Sequence, residues 1–309
     1  MKVLVTGGAG FIGSHVVDQL LDAGHEVVIV DDLSTGRQSN LNPRAKFYHL
    51  DIRSPEVEQV FAVERPEVID HHAAQMDVRR SMSDPLFDAD VNILGSIKLA
   101  QYAIKYGVRK FIHISSGGAA YGEPRYLPCD EDHPVQPLCP YGVSKYTFEL
   151  YLYLFKINYG LDYTVIRYPN VYGPRQDPQG EAGVVAIFGG QMLRDLPVTI
   201  NGTGEQVRDY VFVTDCARAN LLALTQGGGR IYNLGSGKGT SVNEVFATLK
   251  QITGYTRSAN YGPAKAGETN RIYLDASRAQ AELGWMPTVP LNDGLRQTTA
   301  YLKEELIPV

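Results

Sequence analysis

The stretch Thr6-Gly7-Gly8-Ala9-Gly10-Phe11-Ile12-Gly13 separates a predicted strand from a predicted helix. Residues 2–5 form a short apolar run, and apolar residues at positions 16, 17, 20 and 21 recur at helical spacing. Glycines in such a turn let the backbone approach a pyrophosphate, and the N–H groups and dipole of the following helix favour its charge. The spacing is GxxGxxG rather than GxGxxG, so this segment alone leaves a plain glycine turn open as an alternative.

The second predicted strand, residues 26–31, ends in an acidic residue. Asp31 lies 18 residues after Gly13. A carboxylate at this position hydrogen-bonds the 2′-hydroxyl of an adenosine ribose and repels a 2′-phosphate. The sequence therefore predicts NAD rather than NADP as the cofactor.

Composition limits the classes of function that need to be considered. The 309 residues suffice for one large core or two moderate ones, and the net charge of −5 provides no basic surface for nucleic acid or an anionic membrane. The three cysteines, Cys129, Cys139 and Cys216, cannot all pair, which fits a reducing compartment. The chain begins with a strand pattern rather than a signal peptide, and no apolar run approaches 18 residues. We expect a cytoplasmic protein with no nucleic-acid or membrane partner.

Strand and helix patterns alternate through the first half of the chain. Strands are predicted at 2–6, 26–31, 45–50, 66–70, 109–115 and 161–168, with helices near 12–23, 55–63, 86–106 and 142–159. This alternation predicts an α/β fold with a doubly wound, Rossmann-like parallel sheet. After Pro169 the pattern changes to Gly/Pro-rich loops and short elements, which predicts a smaller C-terminal α/β substrate-binding region. We divide the chain into a cofactor-binding domain, 1–168, and a mainly substrate-binding region, 169–309, with some segments returning to the first domain.

The predicted helices 86–106 and 142–159 carry more apolar surface than one buried face requires. In the second helix, apolar and aromatic residues at 146, 148 and 150–155 occur on nearly every side. A helix that is apolar all round is buried all round. Two arrangements would bury it: a central position under the second region, or the interface of a homodimer, which we favour.

A tyrosine and a lysine stand four residues apart at the start of the helix predicted near 142–159. Tyr141 and Lys145 therefore share a helix face, where an ammonium, helped by an oxidised nicotinamide, is expected to lower the pKa of the phenol. A phenol with a lowered pKa serves as a general base. The same spacing recurs at Tyr106/Lys110 and Tyr261/Lys265, but Gly107 interrupts the first and Gly262-Pro263 makes the second a turn. Only Tyr141 and Lys145 combine the spacing with a long helix.

The order of the motifs resembles that of the extended short-chain dehydrogenases/reductases, in particular the nucleotide-sugar epimerase/dehydratase group. The matching motifs are TGGAGFIG at 6–13, Asp31-Asp32, Asp51-Ile52, HHAA at 71–74, Asn92, SSGGAAYG at 115–122, PYGVSK at 140–145, RYPNVYGPRQ at 167–176 and RDYVFVTD at 208–215. They extend over most of the chain, and the complete set in register is far more specific than any single motif.

This resemblance implies NAD as cofactor, with Asp51 and Ile52 at the adenine and Lys145 at the nicotinamide ribose. Ala73 and Ala74 border the pyrophosphate, and Asn92 supports the active-site region. The predicted cofactor-binding residues are Gly7, Gly10, Phe11, Ile12, Gly13, Asp31, Asp32, Ser34, Thr35, Gly36, Asp51, Ile52, Ala73, Ala74, Asn92, Ser115, Tyr141, Lys145 and Tyr168.

The resemblance also implies a UDP-sugar substrate and no metal site. The predicted substrate-binding residues are Ser116, Gly117, Tyr141, Asn170, Val184, Val185, Thr199, Asn201, Arg208, Lys265 and Glu268. A guanidinium at position 208 suits a diphosphate, because it binds oxygens in a forked geometry. A salt bridge from Arg208 to Asp209 or Asp215 remains the structural alternative.

One position departs from the pattern of the family. Most members carry Ser or Thr four residues before the Tyr-Gly that closes the serine-rich motif, and here that position is Gly117. The neighbouring Ser116 could serve if the turn is displaced by one residue. We therefore predict Ser116 as the third catalytic residue, beside Tyr141 and Lys145.

Residues 118–119 and 177 narrow the reaction that the resemblance implies. Dehydratases of the group carry an Asp-Glu pair where this chain has Gly118-Ala119, so elimination of water is disfavoured. Glucuronate epimerases carry an arginine where this chain has Asp177, so a neutral sugar is favoured. What remains is hydride removal from C4, rotation of the 4-keto sugar and hydride return, with UDP-glucose/UDP-galactose first and the N-acetyl pair second. Ile272 is predicted to face the C2 substituent of the sugar, and its middling size leaves the choice between the glucose/galactose pair and the N-acetyl pair open. A non-catalytic NAD-binding regulator is disfavoured because Tyr141 and Lys145 are both present.

Overall fold

A seven-stranded parallel sheet forms the centre of the protein, which a computed structural model describes at residues 1–178, 183–264 and 269–306. Its strands, in chain order, are β1 (Lys2–Thr6), β2 (Glu26–Asp31), β3 (Lys46–His49), β4 (Val68–His71), β5 (Lys110–Ser116), β6 (Asp162–Tyr168) and, after four short strands outside the sheet, β11 (Arg230–Asn233). Their spatial order is β11-β6-β5-β4-β1-β2-β3. The predicted doubly wound parallel sheet is confirmed.

Helices cover both faces of this sheet because neighbouring strand residues point to opposite sides. On one face, Val3 and Val5 pack with α1 (Phe11–Asp22), α9 (Val213–Ala223) and α11 (Ser277–Leu283). On the other face, Leu4 packs with α2 (Val57–Glu64), α5 (Ser96–Tyr106) and α7 (Pro140–Tyr159). Both faces of the sheet are therefore buried.

The helix predicted over 86–106 is interrupted. After α3 (Val78–Ser83), the chain forms α4 (Pro85–Ala89), a π-helical segment at Asp90–Gly95, and then α5. The π-helical segment contains Asn92, and wide turns of this kind occur most often at functional sites. The short helix α6 (Gly117–Ala120), which follows β5, was not predicted either.

The second half of the chain builds its own core and also completes the sheet. Strand β11 pairs with β6 in parallel, although the two are far apart in the sequence. A separate apolar cluster joins α8 (Val184–Leu193), α10 (Val242–Thr253) and α12 (Leu291–Leu306). The short strands are β7 (Asn170–Tyr172), β8 (Thr199–Asn201), β9 (Val207–Arg208), β10 (Tyr210–Phe212), β12 (Thr240–Ser241) and β13 (Asn260–Gly262). Within the described ranges, no helix is both long enough and apolar enough to cross a membrane.

One side of α7 is exposed in the single chain. Its inward side chains, Phe148 and Leu152, are fully buried against the sheet. Its outward side chains Val143, Leu150, Leu154 and Ile157 are between 47% and 67% exposed. The alternative that the second region buries this helix on every side is therefore wrong.

Candidate active site

The glycine turn after β1 has the shape that a bound pyrophosphate requires. Gly7 has a φ of +71°, and a Cβ there would lie 2.6 Å from the backbone nitrogen of Ala73. A Cβ at Gly13 would lie 2.2 Å from the Gly7 carbonyl oxygen. Helix α1 begins after Gly10 with no side-chain cap. The N–H groups of its first turn, to which Phe11, Ile12 and Gly13 belong, are therefore free for an anion, and the site fits NAD.

Asp31 is held rigidly at the end of β2, next to this turn. Its carboxylate accepts hydrogen bonds from the backbone N–H groups of Ala9, at 2.9 Å, and Leu33, at 2.8 Å. Burial raises its pKa above the usual value. A Cβ at Gly36 would come within 2.8 Å of the carboxylate, so glycine lets the loop close around it. Asp32 caps the same loop by accepting from Ser34, with Thr35 next in the chain.

The predicted adenine and pyrophosphate residues follow the neighbouring strands. Asp51 accepts from the Arg53 guanidinium, which lowers the pKa of that carboxyl group. Ile52 is buried beside it. The Ala73 N–H donates to the Thr6 hydroxyl at 3.2 Å, which places Ala73 and Ala74 directly against the glycine turn. The sheet edge thus brings the predicted cofactor residues together.

Ser116, Tyr141 and Lys145 meet at the end of β5. The Ser116 hydroxyl lies close enough to the Tyr141 phenol to lower its pKa. Ser116 ends β5, whereas Tyr141 and Lys145 lie in the first two turns of α7, which begins at Pro140 because proline is favoured at the first helical position. Lys145 is only 3% exposed. The three predicted catalytic residues therefore form one cluster.

Burial sets the protonation of this cluster in the protein alone. It raises the pKa of Tyr141 to about 12, and the lowering predicted for the phenol beside both Lys145 and an oxidised nicotinamide stays a prediction. The Ser116 hydroxyl acts against burial and favours the phenolate. Burial lowers the pKa of Lys145 to about 8, against the attraction of Asp88 and Glu149. In the protein alone, Tyr141 is therefore a neutral phenol.

Position 117, where most family members carry a hydroxyl, leaves little room for a side chain in this protein. A Cβ there would lie 2.4 Å from Cδ1 of the buried Leu274. A Cβ at Gly118 would instead lie 3.9 Å from the Ser116 oxygen and 3.7 Å from Asn170 Oδ1. The two glycines begin the short helix α6, which follows directly after Ser116 at the end of β5.

A buried network lies behind the catalytic cluster. Ser115, predicted at the cofactor, donates its hydroxyl hydrogen to Glu149 at 2.6 Å. Glu149 also pairs with the Arg167 guanidinium through two hydrogen bonds, of 3.0 and 2.6 Å. Arg167 donates to the Tyr121 hydroxyl as well. The side chain of Ser115 therefore braces α7 against β5 and β6, and any direct role at the cofactor stays a prediction.

Asn92 and Tyr168, both predicted at the cofactor, are fixed by buried hydrogen bonds. The amide of Asn92 bonds both backbone groups of Gln75 and reaches the Ser144 hydroxyl at 3.1 Å. The Tyr168 hydroxyl accepts from Asn220. Sequence reasoning missed Gln75 and also Asp88, which accepts from Asn92 at 3.1 Å. Asp88 could have been found from its position four residues before Asn92, because this spacing puts two side chains on the same face of a helix.

The predicted UDP-binding residues lie in the second region. Arg208, on β9, donates to the backbone oxygens of Val207 and Asn270. The two carboxylates proposed as its alternative partners have other bonds: Asp209 accepts from Ser236, and Asp215 accepts from Thr288. The remaining predicted residues are Val184 and Val185 at the start of α8, and Thr199 and Asn201 on β8. Lys265 and Glu268 lie outside the described residues.

Asp177, which argued against an acidic sugar, has a cationic partner. Its carboxylate lies 3.0 Å from the Arg37 guanidinium, in the loop that follows Asp31. Nearby, Arg175 pairs with Asp18 of α1 at 2.7 Å. The segment after β7 is thus held to the cofactor-binding half of the molecule.

Comparisons with known proteins agree with this geometry. The sequence profile of the NAD dependent epimerase/dehydratase family matches residues 3–235. The UDP-glucose 4-epimerase of Mycolicibacterium smegmatis is 44% identical over 311 residues, 99% of each chain. The structure of UDP-glucose 4-epimerase from Thermotoga maritima with UDP-glucose is 51% identical and superposes with a TM-score of 0.98, covering 99% of this chain and 100% of that one. The Thermus thermophilus UDP-glucose 4-epimerase in complex with NAD is 43% identical, with a TM-score of 0.94 over 98% of this chain and 99% of that one.

Proposed function

Because the chain belongs to the NAD-dependent epimerase/dehydratase family, we propose that it interconverts UDP-glucose and UDP-galactose by inversion at C4. The observation that carries this proposal is the action of the Ser116 hydroxyl on the Tyr141 phenol, one helical turn from the buried Lys145. Residues 118 and 119 next to that pair are glycine and alanine and offer no carboxylate for chemistry at C5 or C6. The site therefore supports acid–base chemistry at a single hydroxyl.

The protein residues handle the proton of that hydroxyl. Bound NAD supplies a reversible hydride acceptor and a positive charge. With the positive charges of Lys145 and of the bound cofactor beside it, Tyr141 would lose its proton and act as a phenolate. It then takes the proton from the O4 hydroxyl as C4 is oxidised and returns it when the 4-keto sugar is reduced on its other face. Ser116 donates a hydrogen bond at the same oxygen, and Lys145 contributes a buried positive charge. The glycine turn, Asp31 and Asp51 hold the dinucleotide, which the closed reaction cycle leaves unchanged.

A neutral hexose fits better than a uronate. Asp177 occupies the position at which an arginine would meet a sugar carboxylate. The side chains of Asn170 and Ser116 both border Gly118, and Arg208 suits the diphosphate. Residues 1–168 bind NAD in this proposal, and residues 169–309 mainly bind the UDP-sugar. The three cysteines are unpaired, which supports a cytoplasmic location.

We also propose that the enzyme is a homodimer formed through α5 and α7. The exposed residues of α7, Val143, Leu150, Leu154 and Ile157, follow the spacing of a helix-packing stripe. Helix α5 packs beside α7, so two copies would form a four-helix contact. Light scattering at micromolar concentration should report a dimer. The double variant L150E/I157E should be monomeric, whereas Met286→Glu, at an exposed apolar residue elsewhere, should remain dimeric.

The direct test is conversion of UDP-galactose to UDP-glucose by the purified protein without added reductant. The same assay with UDP-glucuronate and the N-acetyl sugars measures selectivity. Tyr141→Phe should lower turnover by roughly 10²–10⁴-fold and retain bound NAD. Tyr159→Phe removes a hydroxyl from the exposed end of the same helix and should be silent. Absence of C4 inversion with every sugar would refute the proposal, and normal turnover of Tyr141→Phe would remove Tyr141 from its role.

A further inference from the structure

A carboxylate buried behind the catalytic cluster forms no ion pair with any residue that the structure describes. Asp88 lies on α4 and is 1% exposed. Its Oδ1 accepts from the neutral amides of Gln75, at 3.0 Å, and Asn92, at 3.1 Å. Its Oδ2 is buried and has no hydrogen-bond partner within the described part of the chain. A buried charge left in this way is costly unless another group compensates it.

The cation on which this charge acts is the Lys145 ammonium, although the two form no ion pair. Among single charges, Asp88 favours the protonated form of Lys145 most strongly, ahead of Glu149. Glu149 is already bound by the Arg167 guanidinium, so its charge is largely neutralised. Asp88 also acts on Tyr141, where it favours the neutral phenol.

The other titratable groups around the pair are uncharged. His71, on β4, and His113, on β5, are buried, and burial holds the pKa of both far below the usual range. Cys139, just before α7, has a pKa raised by burial and remains a thiol. Asp88 is therefore the one uncompensated charge among the titratable groups acting on Lys145 or Tyr141 in the residues described.

Hydrogen bonds also connect Asp88 to the backbone of Tyr141. Asn92 donates to Asp88 and to the Ser144 hydroxyl, and Ser144 donates to the Tyr141 carbonyl at 3.0 Å. The π-helical segment places Asn92 between these groups. Helix α4 packs directly on α7, so the chain of bonds is short and buried.

We propose that Asp88 is a positioning residue of this active site: its buried negative charge keeps Lys145 an ammonium, and its bond to Asn92 holds the turn of α7 that carries Tyr141. The inference rests on the proposed epimerase function. It assigns to α4 a part in the reaction although Asp88 itself touches neither substrate nor cofactor.

Asp88→Asn tests the charge while keeping the shape and an acceptor oxygen. Without the negative charge, the pKa of Lys145 and the pKa of Tyr141 both fall. The alkaline limb of the kcat–pH profile should therefore move down by about one pH unit, as expected for one charge at short range. Above that limb turnover should drop about tenfold relative to wild type, with about a twofold drop near pH 7 and little change near pH 6. Lysine side-chain NMR of the cofactor-free protein, with Lys145→Met for assignment, should show the same shift.

Three further variants separate charge from structure. Asp84→Asn removes an exposed charge from the start of α4 and keeps its helix cap, since Asn and Asp cap equally well, so its profile should match wild type. Asp88→Glu, which retains the charge, should lie closer to wild type than Asp88→Asn. Asp88→Ser provides a second neutral side chain if Asp88→Asn folds poorly.

An unshifted profile in both neutral variants, or an equal shift in Asp84→Asn, would overturn the role of Asp88. A wild-type protein that inverts no UDP-sugar would instead overturn the proposed function. The lysine titration would still report on Asp88 in that case.

Discussion

Loss of the Ser116 hydroxyl should impair turnover without loosening the cofactor. The Ser116 hydroxyl acts on the Tyr141 phenol and opposes the rise in the pKa of Tyr141 that burial causes. Removing one preorganised donor at a reacting oxygen typically costs about 10²–10³-fold in kcat. We expect about 10²-fold for Ser116→Ala, or about 2.7 kcal/mol in the barrier, because Tyr141 remains in place. The acidic limb of the profile should also move to higher pH.

Steady-state kinetics with UDP-galactose measures this change, and NAD released on denaturation measures the cofactor content. Ser116→Thr keeps the hydroxyl and should retain most of the activity. Ser83→Ala, at an exposed serine of α3, controls for the loss of any hydroxyl. A kcat for Ser116→Ala within threefold of wild type would show that Tyr141 works alone or with an ordered water. Equal losses in Ser116→Ala and Ser116→Thr would point to packing rather than to the hydroxyl.

Three other outcomes follow from the same geometry. Gly117→Ser should lower the melting temperature without accelerating the reaction, because its Cβ would overlap the buried Leu274, and overpacking of this kind costs about 1–3 kcal/mol; a faster enzyme would contradict the role of Ser116. Asp31→Ala should narrow the preference for NAD over NADP in binding measurements, and equal wild-type affinities would refute the argument from Asp31. Wild-type turnover should fall above about pH 8, where Lys145 loses its proton, and a profile that is flat to pH 10 would show that the ammonium is not required.

The sequence predicted the fold because its signals are local. The glycine turn, the apolar strands and the helical spacing each involve a few neighbouring residues. The first six strands of the sheet lie within a few residues of their predicted bounds, and the family resemblance is confirmed. The interruption of the helix over 86–106 was missed because one widened turn barely changes a period of 3.6.

The chemistry of the site depends on contacts that the sequence does not display. In the protein alone burial raises the pKa of Tyr141, and burial is set by the whole fold. The pair of Glu149 and Arg167 joins α7 to β6. Asp88 acts on Lys145 only because α4 packs on α7. The short helix α6, which begins directly after Ser116, was not predicted from the sequence.

The fate of the hydrogen on C4 tests the central claim most directly. UDP-galactose carrying deuterium at C4 should yield UDP-glucose with the deuterium still at C4 when the reaction runs in ordinary water. This outcome follows if the hydrogen leaves as hydride and returns to the same sugar within a closed cofactor cycle. Replacement of the deuterium by solvent hydrogen would show that C4 is inverted through a proton, and the proposed chemistry of Ser116, Tyr141 and Lys145 would be wrong.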